Sequence, residues 1–272
     1  MLEFEILVRG LYRPDQLDIT YDPLLVMPTT PAIQQWMDTL WQQKLAIAQE
    51  KKIPLFDSRL FRLMSAESRP GRAPRLVLGN TSYKEYVTTR EPEFAQGRSR
   101  QELGNALSVC SVVETNDGYI LLDKRQGVDV YAGRYHVIGG FFERDLDMTT
   151  MQPDPFAAIC REIREETGIQ MADISEQYCL GVVYDLTTPH GEMCFLTRLN
   201  IPLEQVYRRV PEENEIQQLL SLYITKGSLR HFVLANHGNI SATGEPNLLM
   251  YGGVKFGEEW LGEVMGRLNY LH

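Results

Sequence analysis

Long apolar runs are missing from this chain. No stretch of about 18 consecutive apolar residues occurs, which excludes a membrane-spanning helix. Paired cysteines are missing too. Cys110, Cys160, Cys179 and Cys194 stand apart with no Cys-x-x-Cys spacing, so they read as small buried groups in a reducing compartment and not as a zinc site or disulfide framework. Positive charge is in deficit, with 27 Lys and Arg against 36 Asp and Glu and a formal net charge of −9. A general nucleic-acid binder needs a basic surface to displace counterions, so the charge argues against that class. The first residues, Met1-Leu2-Glu3-Phe4-Glu5, carry acid where a secretory leader carries positive charge, and the cytoplasm is the expected address. No internal repeat or low-complexity tract is visible.

What is present divides into two parts. In the first, residues 1–103, Phe4–Val8 and residues 59–64 and 75–79 have strand character. Residues 31–52 have helical spacing, with Thr30 as cap and Pro31 in the first turn. The polar stretch from Glu91 to Glu102 suits a boundary. In the second, residues 104–272, two apolar runs flank the turn Asn116-Asp117-Gly118 and predict a hairpin. Further strands are expected near 135–138, 178–186, 192–199 and 219–224, and helices at 155–167 and 257–270. The expected class is α/β, a mixed sheet packed by helices, with an N-terminal α/β extension.

The segment Arg161-Glu162-Ile163-Arg164-Glu165-Glu166-Thr167-Gly168-Ile169 carries the chemistry. Asp154 before Pro155 starts a helix and Gly168 ends it. Glu162, Glu165 and Glu166 fall at i, i+3 and i+4, so their carboxylates crowd one side of the last turns. Like charges there repel, and acids oppose the dipole at a helix C-terminus. A hard divalent cation relieves both, because Mg²⁺ prefers carboxylate oxygens. A solvated acidic face, eased by Arg161 and Arg164, is the simpler reading for such a cluster in isolation.

The cluster is not isolated. Its nine residues match Arg-Glu-apolar-x-Glu-Glu-x-Gly-apolar throughout, and His136 to Glu143 includes Gly-Gly-x-x-Glu upstream. This resembles the Nudix hydrolases over roughly residues 106–225. One departure is the spacing: Gly140 lies 21 positions before Arg161, about seven more than the family pattern, and Pro153 stands where that pattern has a loop glutamate. Glu143 and Asp154, on either side of the extra length, are the acids considered in its place.

The resemblance implies that Glu162, Glu165 and Glu166 ligate Mg²⁺, or Mn²⁺, with the Gly139 carbonyl as a further ligand. It implies that Arg161 orients a helix glutamate. For the general base it leaves Glu162 and Glu192 level, the latter following Pro189-His190-Gly191 in a loop. Lys124, Arg125 and Glu143 are candidate substrate contacts, and Tyr131, Tyr135, Phe142 and Tyr184 are candidate stacking partners for a base. Glu212, Glu213 and Glu215 read as a solvated turn. The implied activity is metal-dependent hydrolysis of the diphosphate in a nucleoside diphosphate derivative. A UDP-sugar is the first substrate expected, from a resemblance to the nucleoside diphosphate-sugar pyrophosphatases, and ADP-ribose or another ADP-sugar the second. The alternative is a Nudix-fold sensor that binds a nucleotide without cleaving it. The expected partner is a small molecule, with no nucleic acid and no membrane. The N-terminal part is expected to cover the substrate or to build a homodimer interface.

Overall fold

The computed structural model describes residues 2–125, 130–149, 152–212 and 218–270. Glu213 and Glu215 lie outside the described residues, as do Thr150 and Met151 of the long loop. The chain begins with strands β1 (Phe4–Tyr12) and β2 (Asp18–Tyr21), helix α1 (Pro31–Lys51), and strands β3 (Arg59–Glu67) and β4 (Arg75–Ser82). Helices α2 (Tyr83–Thr89) and α3 (Pro92–Ala95) lead to strands β5 (Leu107–Glu114), β6 (Tyr119–Lys124), β7 (Tyr135–His136) and β8 (Ile138–Phe141). Helix α4 (Pro155–Thr167) precedes β9 (Ile174–Asp185), β10 (His190–Leu199), α5 (Leu203–Val206) and β11 (Leu219–Tyr223). Helices α6 (Lys226–Ala235), α7 (Gly244–Phe256) and α8 (Glu258–Tyr270) complete it.

The result is the mixed α/β architecture expected from the sequence. The main sheet runs β1-β9-β10-β5-β6-β11, with β8 paired to β5 and β7 to β6. Its β10–β5 ladder is parallel and its other ladders antiparallel. A second, three-stranded sheet has the order β2-β4-β3. The apolar face of α4 (Ala158, Ile159, Ile163) shares one core with Phe61, Leu63, Leu76 and Leu78 of the second sheet and Val109, Met193 and Phe195 of the main sheet. The opposite face of the main sheet, through Cys110, Cys194 and Leu196, is covered by α6, α7 and α8.

The first 103 residues are not confined to the second sheet. Strand β1 forms an edge of the main sheet, pairing with β9 from Phe4 opposite Asp185 to Tyr12 opposite Cys179. The turn at Asn116-Asp117-Gly118 does join β5 to β6, but those strands pair at Glu114 and Ile120 and then part to different partners.

Candidate active site

Helix α4 is fixed at both ends. Asp154 caps it, its Oδ1 accepting from the N–H groups of Phe156 and Ala157 at 3.1 and 3.0 Å, a cap of the kind that stabilises by about 1 kcal/mol. Gly168 closes it in the left-handed conformation at φ 73°. Between these ends, Ile159 and Ile163 anchor the helix in the core, and Glu162 and Glu166 are turned toward β8.

Strand β8 meets them with its two glycines. The Gly139 N–H donates to Glu166 Oε2 at 3.1 Å. At Gly140 a Cβ would stand 2.5 Å from Glu162 Oε2, so only a residue without a side chain lets that carboxylate lie against the strand. Glu162 is largely buried there.

Arg161 binds the acidic groups together. Its Nε and Nη2 donate to Asp147 Oδ1 and Oδ2 at 2.9 and 2.8 Å, a bidentate pair. Nη1 donates to Glu162 Oε1 at 2.8 Å and to Glu165 Oε2 at 2.9 Å, and Nη2 also to the Phe141 carbonyl at 3.1 Å. Burial works against its charge, but the Asp147 hydrogen bonds and the Glu162 carboxylate outweigh that and raise its pKa. Arg164 pairs with Glu165 and with Glu212 at the helix end.

Asp147 was not singled out by the sequence. It lies in the extra length of the loop, is 3% exposed, and also accepts from the Glu143 N–H at 2.8 Å. It therefore brings a loop carboxylate onto Arg161. The sequence signal was that the extra length contains two acids, Asp145 and Asp147, with nothing to choose between them. Glu143 borders the same centre. Burial pushes its carboxyl up, Arg161 opposes, and Asp147 and Glu165 add to the rise.

Glu192 requires a correction. It is not in a loop but inside β10, opposite Ser108 of β5 and Val183 of β9. It alternates with Met193, which faces α4, and so projects to the other side of the sheet. There it lies 3.8 Å from both His136 Nε2 and His190 Nε2 in a buried trio. Burial opposes its charge, but His190 and His136 prevail and hold its carboxyl below the usual range. The His136 Nδ1 atom lies 2.6 Å from the Ser241 hydroxyl.

The other expected contacts are dispersed. Lys124 lies over the Tyr135 ring at 5.3 Å, and Tyr135 packs toward Phe232 beside the α6–α8 core. Arg125 Nε donates to the Val130 carbonyl at 3.0 Å. Phe142 is wholly buried core, which removes it as a stacking surface, and the Tyr131 hydroxyl donates to Asp185 at 2.6 Å. Tyr184 is 3% exposed, with the Arg100 guanidinium 3.8 Å over its ring.

The donor set at α4 suits a hard divalent ion, since it offers carboxylate oxygens alone, set where Gly140 leaves room for Glu162. Among the described residues no three His, Cys, Asp or Glu side chains are already gathered at ligand spacing. Arg161 Nη1 holds one oxygen each of Glu162 and Glu165, so an ion would take these carboxylates in competition with it.

No family model matches the chain, and no curated protein matches it. It is similar to several solved structures. One is the MutT protein from Methanosarcina mazei Go1, with 19% identity over 52% of this chain and 88% of that one, at a TM-score of 0.34. Another is the bifunctional NMN adenylyltransferase/ADP ribose pyrophosphatase from Francisella tularensis, with 16% identity over 63% of this chain and 46% of that one, at a TM-score of 0.42. A third is the NUDIX domain of Shewanella oneidensis NrtR complexed with ADP ribose, with 15% identity over 48% of this chain and 81% of that one, at a TM-score of 0.35.

Proposed function

We propose that the protein is a divalent-metal-dependent hydrolase of the diphosphate linkage in a nucleoside diphosphate derivative. The observation that carries this is the placing of Glu162 and Glu166 against the Gly139–Gly140 strand, with Glu162 and Glu165 both held by Arg161, itself paired with Asp147. Carboxylates at a helix C-terminus are unfavourable for the helix itself, so the arrangement is better explained by a cation than by folding. Glu162, Glu165 and Glu166 would hold Mg²⁺ or Mn²⁺, with the Gly139 carbonyl as a further ligand. Such an ion, when bound, supplies charge neutralisation of the diphosphate and a lowered pKa for water.

The remaining roles fall to the chain's own groups. Arg161 and Asp147 fix the direction of the glutamates. The general base is Glu162, because Glu192 is buried beside His136 and His190 on the far side of the sheet. It accepts the proton of a water that attacks phosphorus, and the bridging oxygen leaves with one phosphate, giving a nucleoside monophosphate and a phosphorylated product. A UDP-sugar is the first substrate to test and ADP-ribose the second.

The test is incubation of the purified protein with UDP-glucose and ADP-ribose, in Mg²⁺ and in excess chelator, with products resolved by chromatography. Turnover only with metal is expected. Turnover undiminished by chelation, or none with any nucleotide under either metal, would overturn the proposal. Saturable nucleotide binding without turnover would favour the sensor reading.

A further inference from the structure

Strand β8 leaves the main sheet after Phe141, and the chain at once joins the second sheet. The Phe142 N–H donates to the Leu107 carbonyl of β5 at 3.1 Å, while its carbonyl accepts from the Phe61 N–H of β3, also at 3.1 Å. Glu143 then bridges Leu60, and the Arg144 N–H donates to the Arg59 carbonyl at 2.8 Å. Residues 142–144 therefore run along β3 as a short added strand. Parts of the candidate centre stand on either side of it in sequence. Gly139 and Gly140, against which Glu166 and Glu162 lie, come just before, and Asp147 comes just after.

Asp147 takes its place from that strand. Its N–H donates to the Glu143 carbonyl at 2.9 Å, and its Oδ2 accepts from the Glu143 N–H at 2.8 Å. The segment between them turns outward, since Asp145 and Leu146 are exposed. The side chain of Arg144 holds the point where the turn begins. Its Nε donates to the Leu60 carbonyl at 3.0 Å and its Nη2 to the Thr81 carbonyl at 3.3 Å. Leu60 and Thr81 are register partners in β3 and β4, so one planar guanidinium ties the turn to both strands at once. A solvated surface arginine would have no such fixed pair of acceptors.

We infer that Arg144 is a positioning residue for the metal centre. It sets the turn that carries Asp147, Asp147 holds Arg161, and Arg161 holds Glu162 and Glu165. The N-terminal sheet enters the centre through these bonds, a role beyond the substrate cover or dimer interface expected of it. That the object positioned is a metal centre rests on the hydrolase reading proposed above. The sign of the effect separates positioning from charge. Arg144 is a cation close to acids, so by electrostatics alone its removal would tighten the binding of a divalent ion. Loss of positioning weakens it.

The test is titration of the full chain with Mn²⁺, followed by the paramagnetic resonance of the free ion. Arg144→Met keeps the aliphatic stem and removes the donors, and should weaken Mn²⁺ about tenfold, the low end for supports of metal ligands. Arg144→Lys keeps a donor for one carbonyl and should recover to within about threefold of wild type, and it serves as the test should the Met variant fail to fold. In an Asp147→Asn background, Arg144→Met should change affinity by less than about twofold, because the two residues act in series. Unchanged or tighter Mn²⁺ binding in Arg144→Met, or an equal loss in both backgrounds, would overturn the inference. Hydrogen exchange on the metal-free chain tests the hold on the turn without a metal. The Glu143 and Asp147 amides should exchange roughly tenfold faster in Arg144→Met, and unchanged exchange at both would also overturn it. A wild type that binds no Mn²⁺ would sink the hydrolase reading instead, with the hold of Arg144 on the turn then decided by exchange alone.

Discussion

Replacing Asp147 by Asn probes the clamp on the candidate centre. Asp147 is buried, accepts two hydrogen bonds from Arg161, and is fixed by a third from the Glu143 N–H. Asn keeps the shape but removes the charge and turns one acceptor into a donor facing a donor. Breaking a buried ion pair from one side costs about 3–5 kcal/mol. Arg161 retains Glu162 and Glu165, so the expected loss in urea denaturation is lower, roughly 2–3 kcal/mol. The guanidinium should then draw more tightly onto those two carboxylates, which are the ones a metal would need. Positioning partners of metal ligands are typically worth about 10–100-fold in affinity, and Mn²⁺ titration should show a loss of that order. A variant with stability within about 0.5 kcal/mol of wild type and unchanged metal affinity would refute the clamp.

Two further outcomes follow from other parts of the molecule. Gly140→Ala places a Cβ 2.5 Å from Glu162 Oε2. The strain should cost about 1–3 kcal/mol and kcat should fall at least tenfold with the circular dichroism unchanged, whereas an unaltered kcat would show that Glu162 has no business at that position. The buried trio should give stability a maximum near pH 6.5. Burial first and Arg125 second depress His136 to about 3, so the unfolded chain takes up the proton first and acidification below pH 6.5 costs up to about 1.4 kcal/mol per unit. Burial would lower His190 too, but Tyr86, Glu192 and Asp185 outweigh it and raise it to about 10. Its contribution is therefore whole below pH 6.5 and is lost as pH climbs toward 10. Urea denaturation across pH should flatten on the acid side in His136→Gln and on the alkaline side in His190→Gln, and a flat wild-type profile would contradict this.

Helix α4 was legible in the sequence because cap, apolar period and stop agree there: Asp154, Ile159 with Ile163, and Gly168 all act as their types suggest. Asp147 was not, because its meeting with Arg161 depends on the loop folding back on itself, where Met148 bridges Pro153 and the Asp154 N–H donates to the Asp147 carbonyl. Gly191 read as a turn residue, yet it sits in β10 because a Cβ there would stand 2.4 Å from the Leu63 side chain. Helix α7 was hidden for two reasons. Residues 244–253 are all buried, so it lacks a polar face to give a period, and Gly252 is demanded by the close approach of Trp260. The place of β1 in the main sheet was set by tertiary pairing, since a strand's own alternation does not name its neighbour.

The most direct measurement of the central claim is turnover by Glu166→Gln, at saturating Mg²⁺, of whichever of UDP-glucose and ADP-ribose the wild type cleaves faster. Glu166 is anchored by the Gly139 N–H, and Gln preserves its size while removing the charge that a cation requires. The account predicts a fall in kcat of roughly hundredfold or more with an unchanged melting temperature. Activity within a few-fold of wild type would mean that the acidic face of α4 is solvated surface and that the chemistry lies elsewhere.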